Sequence, residues 1–225
     1  MPSFTHITFL HDYEAEICKD LQINSPSDLQ GPIIAIGGLS GVGKDTLAIN
    51  LRDKLKSRGI DLKIYGSGQL IRQYARRKNY SEAHLDDFLT AIKNDENFAL
   101  EVDHFVDKQT LAQALSIGKG IFIGRMAPFV IGNWGITIWV TVNPETRASR
   151  LITDPNRPEY GLSREEVFQR IQKRDENDIA RLQRIYNIDL LNLINQLDLK
   201  LDNSQNSIVQ SQDIAYEKIT EKYKL

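Results

Sequence analysis

One stretch limits the possible fold more than any other: Gly37-Gly38-Leu39-Ser40-Gly41-Val42-Gly43-Lys44-Asp45-Thr46, directly behind the apolar run Pro32-Ile33-Ile34-Ala35-Ile36. A continuous apolar run bounded by glycine reads as a parallel strand buried on both faces. An amphipathic helix begins near Asp45, so the glycines sit at a strand-to-helix turn. Glycines at 38, 41 and 43 let the backbone bend until its N–H groups point inward together. The helix N-terminus adds partial positive charge and Lys44 adds a full one. Gly38, Gly41, Val42, Gly43, Lys44, Asp45 and Thr46 therefore form a cradle for a polyphosphate such as that of ATP. Glycine-rich turns also join strands to helices with no ligand, but the lysine and both flanking elements favour the cradle.

The rest of the chain repeats the alternation. Strand-like segments fall at Leu62-Lys63-Ile64-Tyr65, Gly120-Ile121-Phe122-Ile123-Gly124 and 136–142, and at 197–202, where apolar and polar residues alternate as on a half-covered edge. Helical patterns cover roughly 45–58, 69–79, 95–117, 144–153, 163–185 and 209–223, which leaves 80–94 unassigned. Strands alternating with helices indicate an α/β domain with a five-stranded parallel sheet flanked by helices. Residues 1–30 lack a clear period and end in the loop signature Asn24-Ser25-Pro26-Ser27-Asp28, with Ile17 and Leu21 spaced for a short amphipathic helix. They read as an N-terminal extension packed on one domain, 31–225.

Bulk properties exclude several classes. With 225 residues, 41% of them apolar and 26% charged, the chain can bury a core without disulfides or metal staples. A net charge of -2 argues against nucleic acid as a partner. The single cysteine, Cys18, reads as a packing residue, and His6, His11, His84 and His104 are not at metal-ligand spacings. The N-terminus has no leader-like pattern and no stretch approaches ~18 apolar residues, so the expectation is a soluble, cytoplasmic protein without a membrane partner, monomer or homodimer. Trp134 and Trp139 read as core residues.

Asp45 stands where a phosphate loop usually carries a serine or threonine that ligates Mg²⁺. A carboxylate beside phosphates is repelled by about 4 kcal/mol for charges 4 Å apart at an effective dielectric near 20. A divalent cation between them reverses that sign. Two readings stand side by side: Asp45 ligates Mg²⁺, or Asp45 caps the helix and Thr46 is the metal ligand.

Beyond the loop the chain resembles the cytidylate kinase-like family, in particular its archaeal-type branch. Gly66-Ser67-Gly68-Gln69-Leu70-Ile71-Arg72 is similar to the family segment where a glycine turn opens a helix and its arginine grips the acceptor phosphate. Gly124-Arg125-Met126-Ala127-Pro128 resembles its Gly-Arg element. Arg174-Asp175-Glu176-Asn177-Asp178, with Arg181 and Arg184 and then Ile185-Tyr186-Asn187-Ile188-Asp189, resembles its lid helix and exit. Leu201-Asp202-Asn203-Ser204 looks like the strand-end loop beside the donor adenine. The resemblance covers about 33–224. It implies a P-loop NTPase fold with a nucleoside monophosphate-binding segment at about 66–117 and an arginine-rich lid at about 153–185. It also implies phosphoryl transfer from ATP, with Mg²⁺, to a nucleoside monophosphate, CMP or dCMP. One departure stands out: the family's acidic residue before the Gly-Arg is Ile123 here, so one carboxylate is lost there and one gained at Asp45.

Phosphoryl transfer needs two substrates held in line and spreading charge stabilised, which planar arginine forks do well. Arg170, Arg174, Arg181 and Arg184 fall within about 80° of one another on an unbroken helix, beside an apolar stripe of Val167, Ile171, Leu182 and Ile185. Alone, such a stripe also fits a solvated basic face. With the lid resemblance, Lys44, Arg125, Arg174 and Arg181 are the expected catalytic charges, and Arg72 and Arg125 the acceptor-phosphate pair. Arg147 and Arg150 lie i, i+3 on the helix that Asn143-Pro144 starts, and Arg150 is the one expected to lead toward the lid and bind ATP. Asp103 and Asp107 share a helix face: a base contact through Asp107 and a solvated acidic pair are both open. The rival functions are a kinase of another small acceptor, such as AMP or dephospho-CoA, and a nucleotide-binding regulatory module without turnover.

Overall fold

The computed structural model describes residues 3–155 and 158–225; Asn156 and Arg157, inside the expected lid, lie outside the described residues. Five strands, β1 (Ile33–Gly37), β2 (Ile64–Gly66), β3 (Gly120–Ile123), β4 (Ile136–Thr141) and β5 (Leu199–Asp202), form one sheet in the order β2-β3-β1-β4-β5. Every neighbouring pair is parallel, with Ile34 of β1 opposite Ile121 on one side and Ile136 on the other. The apolar run predicts this central position, because only a strand covered on both faces can be apolar throughout. Successive β1 side chains enter opposite layers. Ile33 and Ala35 join Phe122 and Trp139 on one face, while Ile34 and Ile36 join Ile121, Ile138 and Val140 on the other. Strand β5 is an edge, and its Lys200 and Asp202 are exposed while Leu201 is buried, as the alternation requires.

Ten helices surround the sheet among the described residues: α1 (His11–Leu21), α2 (Lys44–Lys56), α3 (Ser67–Arg77), α4 (Leu85–Asn94), α5 (Glu96–Ile117), α6 (Ala127–Ile131), α7 (Pro144–Thr153), α8 (Arg164–Tyr186), α9 (Leu190–Asn195) and α10 (Ile208–Tyr223). Leu47, Leu51 and Leu55 of α2 and Ala215 and Ile219 of α10 cover one face. Leu111, Ala114 and Leu115 of α5 and Phe129, Val130 and Ile131 of α6 cover the other. Helix ends follow local chemistry. Asn143 accepts from Thr146 N at 2.8 Å with Pro144 in the first turn, and Ser163 with Glu166 forms a capping box at the start of α8. Helices α3, α4 and α5 enclose a cluster of their own around Tyr74, Phe88 and Val102, and α7 and α8 share another around Leu151 and Ile171. The N-terminal segment is part of the main core: Ile7 and Leu10 are buried with Leu182 and Leu190.

Because the strands are parallel, their C-terminal ends share one edge, where open α/β sheets bind ligands. Gly37 leads into the glycine loop there, Ile123 into Gly124-Arg125, Thr141 into Asn143 and Asp202 into Asn203.

Candidate active site

The glycine loop has the bend that the sequence demands. Gly38, Gly41 and Gly43 all have positive φ, and a Cβ at Gly38 would stand 2.4 Å from Val140 O, so the turn admits no side chain there. Gly43 is the N-cap of α2 and no side chain caps the helix, which removes the reading of Asp45 as a cap. Asp45 and Thr46 are exposed in the first turn of α2, and among the described residues their side chains have no hydrogen bond or ion pair. Ile123 is buried in the core layer beneath, so no carboxylate stands at the end of β3.

Lys44 folds back over the loop and donates to Leu39 O at 2.8 Å. Burial lowers its pKa to about 8, against the opposing pull of Asp45, and Arg125, Arg147 and Arg174 push it further down. Those guanidiniums thus converge on the loop. Arg125 in turn feels Asp178, Arg174, Arg181 and Asp103, and burial holds it below the usual arginine range. Four of the expected residues, Lys44, Arg125, Arg174 and Arg181, are brought together. Arg72 stands apart, exposed on α3 against Gly68 of its own first turn.

Helix α8 meets this cluster through a ladder of side chains three residues apart. Asp175 holds Arg147 of α7 through two bonds of 2.5 and 2.9 Å, and Asp178 pairs with Arg125 at 2.8 Å. Arg181 pairs with Asp103, and Arg184 with Glu96 at 2.8 Å, both on α5. The basic stripe is divided: Arg181 is half-buried and paired with Asp103, whereas Arg170, Arg174 and Arg184 are exposed, Arg174 without an ion pair among the described residues. Two buried polar atoms among the described residues lack any partner, Arg147 Nε and Asp178 Oδ2, and both belong to this ladder.

Two expectations need correction. Arg147, not Arg150, leads to the lid: it is only 3% exposed, and its Nε lies 3.3 Å from where a Cβ on Gly41 would be. Arg150 turns the other way and donates to Asn203 O at 2.8 Å. The signal lay in the sequence, because Arg147 shares the buried helix face with Leu151 four residues on. The acidic pair on α5 is not solvated either. Asp107 is buried and accepts the Tyr186 hydroxyl at 2.6 Å, and burial raises its pKa to about 8. That position gives the expected contact with an acceptor base no support.

On the far side of the loop, Gly41, Gly43, Thr46, Arg150, Asn203 and Ile208 line an open cleft of about 320 Å³, together with Leu47, Asn206, Ser207 and Ser211. Asn203 is fixed there by Ser211 Oγ at 2.6 Å and by its own N–H on Thr141 O at 2.8 Å. The glycine loop thus lines an open cleft and lies within electrostatic reach of several arginines.

No helix among the described residues is long and apolar enough to cross a membrane. Of solved structures, a shikimate kinase from Bacteroides thetaiotaomicron matches with a TM-score of 0.55 at 15% identity, over 86% of this chain and 99% of that one. This likeness bears on the fold alone. Among sequence relatives, a cytidylate kinase from Methanopyrus kandleri is 28% identical over 183 residues, 77% of this chain and 85% of that protein. One from Methanocaldococcus jannaschii is 27% identical over 177 residues, 77% and 89% of the two chains. Residues 33–205 match the sequence model of the cytidylate kinase-like family. With the glycine loop, the arginines beside it and helix α8 in one fold, the chain belongs to the cytidylate kinase-like family and is a nucleoside monophosphate kinase.

Proposed function

We propose that this chain transfers the γ-phosphoryl group of ATP to CMP or dCMP, with Mg²⁺ as the metal. The observation that supports this reading is that Arg125 and Arg174 stand near enough to Lys44 to act on its charge, with Arg181 near Arg125, while the glycine loop also lines the cleft at Arg150 and Asn203. The cradle holds the donor phosphates through backbone N–H groups and Lys44, and the donor base enters the cleft beside Ile208. Arg125, with Arg72 swinging in from α3, grips the acceptor phosphate, and Arg174 and Arg181 meet the charge that spreads over the moving group. Arg125 gives one N–H to Asp178 and keeps others for a phosphate, so the lid carboxylate orients the fork without using it up.

An exposed carboxylate at Asp45 and hydroxyl at Thr46, both unpartnered at the mouth of the cradle, are oxygen donors of the kind Mg²⁺ takes. These two side chains would hold the metal, which would supply positive charge against the donor phosphates.

ADP release from Mg-ATP, measured across CMP, dCMP, UMP, AMP and dephospho-CoA, tests the reading. CMP or dCMP should be the fastest acceptor. A charge-assisted contact is worth roughly 1.5–3 kcal/mol, so Arg125→Ala should raise the acceptor KM at least ~10-fold with the ATP KM nearly unchanged. ATP binding without turnover on any acceptor would show the reading to be wrong.

A further inference from the structure

The family match begins at Ile33, so the segment before it lies outside the match. That segment is tied to α6, which follows Arg125, and to α5 and α8, which hold the Arg181–Asp103 pair. Its first tie is to α6, which starts two residues after Arg125. His6 N and Thr5 Oγ1 both donate to Phe129 O, at 2.9 and 3.2 Å, and Asn133 N donates to Phe4 O at 2.8 Å. Glu14, buried on α1, accepts from Phe4 N at 3.0 Å and Thr5 N at 3.2 Å, and from the Trp134 indole and the Ser3 hydroxyl. A carboxylate buried with four donors fixes the fold of this segment onto the Trp134 turn. Gly132 has φ +51, and a Cβ there would stand 2.1 Å from Phe4 O, so the approach requires glycine.

The second tie is to α5 and the end of α8. The Phe9 ring stacks on His104 with centroids 4.0 Å apart and lies 6.2 Å from the Tyr186 ring. Lys108 sits over the Tyr13 ring at 5.3 Å. His104 follows Asp103, the partner of Arg181, and Tyr186 donates to Asp107 on the same α5 face. Tyr186 is the last residue of α8, and Asn187 behind it is left-handed at φ 49, so this is where the lid helix leaves the body.

We propose that the N-terminal segment is a brace for the acceptor half of the site, with Phe9 as its positioning residue. Phe9 against His104 and Tyr186 fixes the exit of α8, and with it the standing of Arg181 and of Arg125 across the Asp178 pair. Among the described residues of the segment none lines the donor cleft, so the brace acts on one substrate only. The proposal rests on the reading that Arg125 grips the acceptor phosphate and that Arg181, near it on the same side, meets the charge of the moving group.

Phe9→Ala, Phe9→Leu and Phe9→Tyr in the full chain test it through two readouts. The first is steady-state kinetics with ATP and CMP varied separately. Phe9→Ala and Phe9→Leu should raise the CMP KM at least ~5-fold and leave the ATP KM within about twofold, and Phe9→Tyr should restore the wild-type values. The second is amide hydrogen exchange without substrates, where residues 179–190 should exchange at least ~10-fold faster in Phe9→Leu while 44–56 stay as they are. Both KM values rising together, or unchanged exchange at 179–190, overturns the brace. If the wild type phosphorylates no monophosphate, the functional reading fails, and exchange alone then decides the brace. Phe9→Leu keeps the apolar volume and answers for Phe9→Ala should that variant not fold.

Discussion

Asp45 stands at the second position of α2, exposed and unpartnered, beside a lysine that is itself poorly solvated. Without a metal, this carboxylate would face the same donor oxygens that Lys44 would attract, and it should weaken nucleotide binding. With Mg²⁺ between them, the interaction changes sign. With Ile123 buried and apolar at the end of β3, Asp45 is an acid without an ion pair at the cradle among the described residues. Calorimetry of ATP binding to wild type and Asp45→Ser separates the two signs. The variant should bind ATP at least ~3-fold more tightly in EDTA and more weakly in excess Mg²⁺, so that the metal's enhancement shrinks from both ends. Equal affinities under both conditions would assign the metal to Thr46 alone. Asp45 was legible as an oddity in the sequence, but its freedom from capping was not, because that depends on Gly43 taking a left-handed cap position.

Helix α8 was legible almost to the residue, since its capping box and its two stripes are local properties: the expected 163–185 became Arg164–Tyr186. Its partners were not, because no local pattern says that Asp175 reaches α7 while Arg181 reaches α5. Helix α4 carries Leu85, Phe88, Leu89 and Ile92 at helical spacing, so its signal was present though weakened by the preceding polar turn. The five buried residues of α6 and the six-residue α9 are too short to show a period at all. The ladder on α8 should grade in strength with burial. Removing Asp175 strands a guanidinium that is 3% exposed, a loss of about 3 kcal/mol or more, whereas the Arg184–Glu96 pair is exposed on both sides and worth well under 1. Urea unfolding of Asp175→Ala and Glu96→Ala measures the contrast. Equal losses would mean that burial does not set the energetics of this helix.

At the scale of the molecule, the five parallel strands follow from apolar runs, but their order and the joint between the N-terminal segment, α5 and α8 are products of packing. Its buried centre is Asp107, facing Tyr186, Asp103 and Arg181. Burial is the main cause that raises its pKa to about 8, with Asp103 adding to it and Tyr186 and Arg181 opposing. In the unfolded chain the same group titrates near ~3.9. Between those values the folded protein holds a proton that the unfolded chain has released, so stability falls as pH rises, by up to about 1.4 kcal/mol per unit, and levels off above the folded pKa. The stabilisation is complete at acid pH and lost by about pH 8. Asp107→Asn keeps an oxygen for the Tyr186 hydroxyl and removes the titration. Its stability relative to wild type should therefore climb by at least about 1 kcal/mol between pH 6 and pH 8 and stay constant beyond pH 9. Urea midpoints taken across that range at fixed ionic strength give the comparison. A gap that does not change with pH would mean that Asp107 is ionised in the folded protein, held so by Arg181 more strongly than burial opposes it.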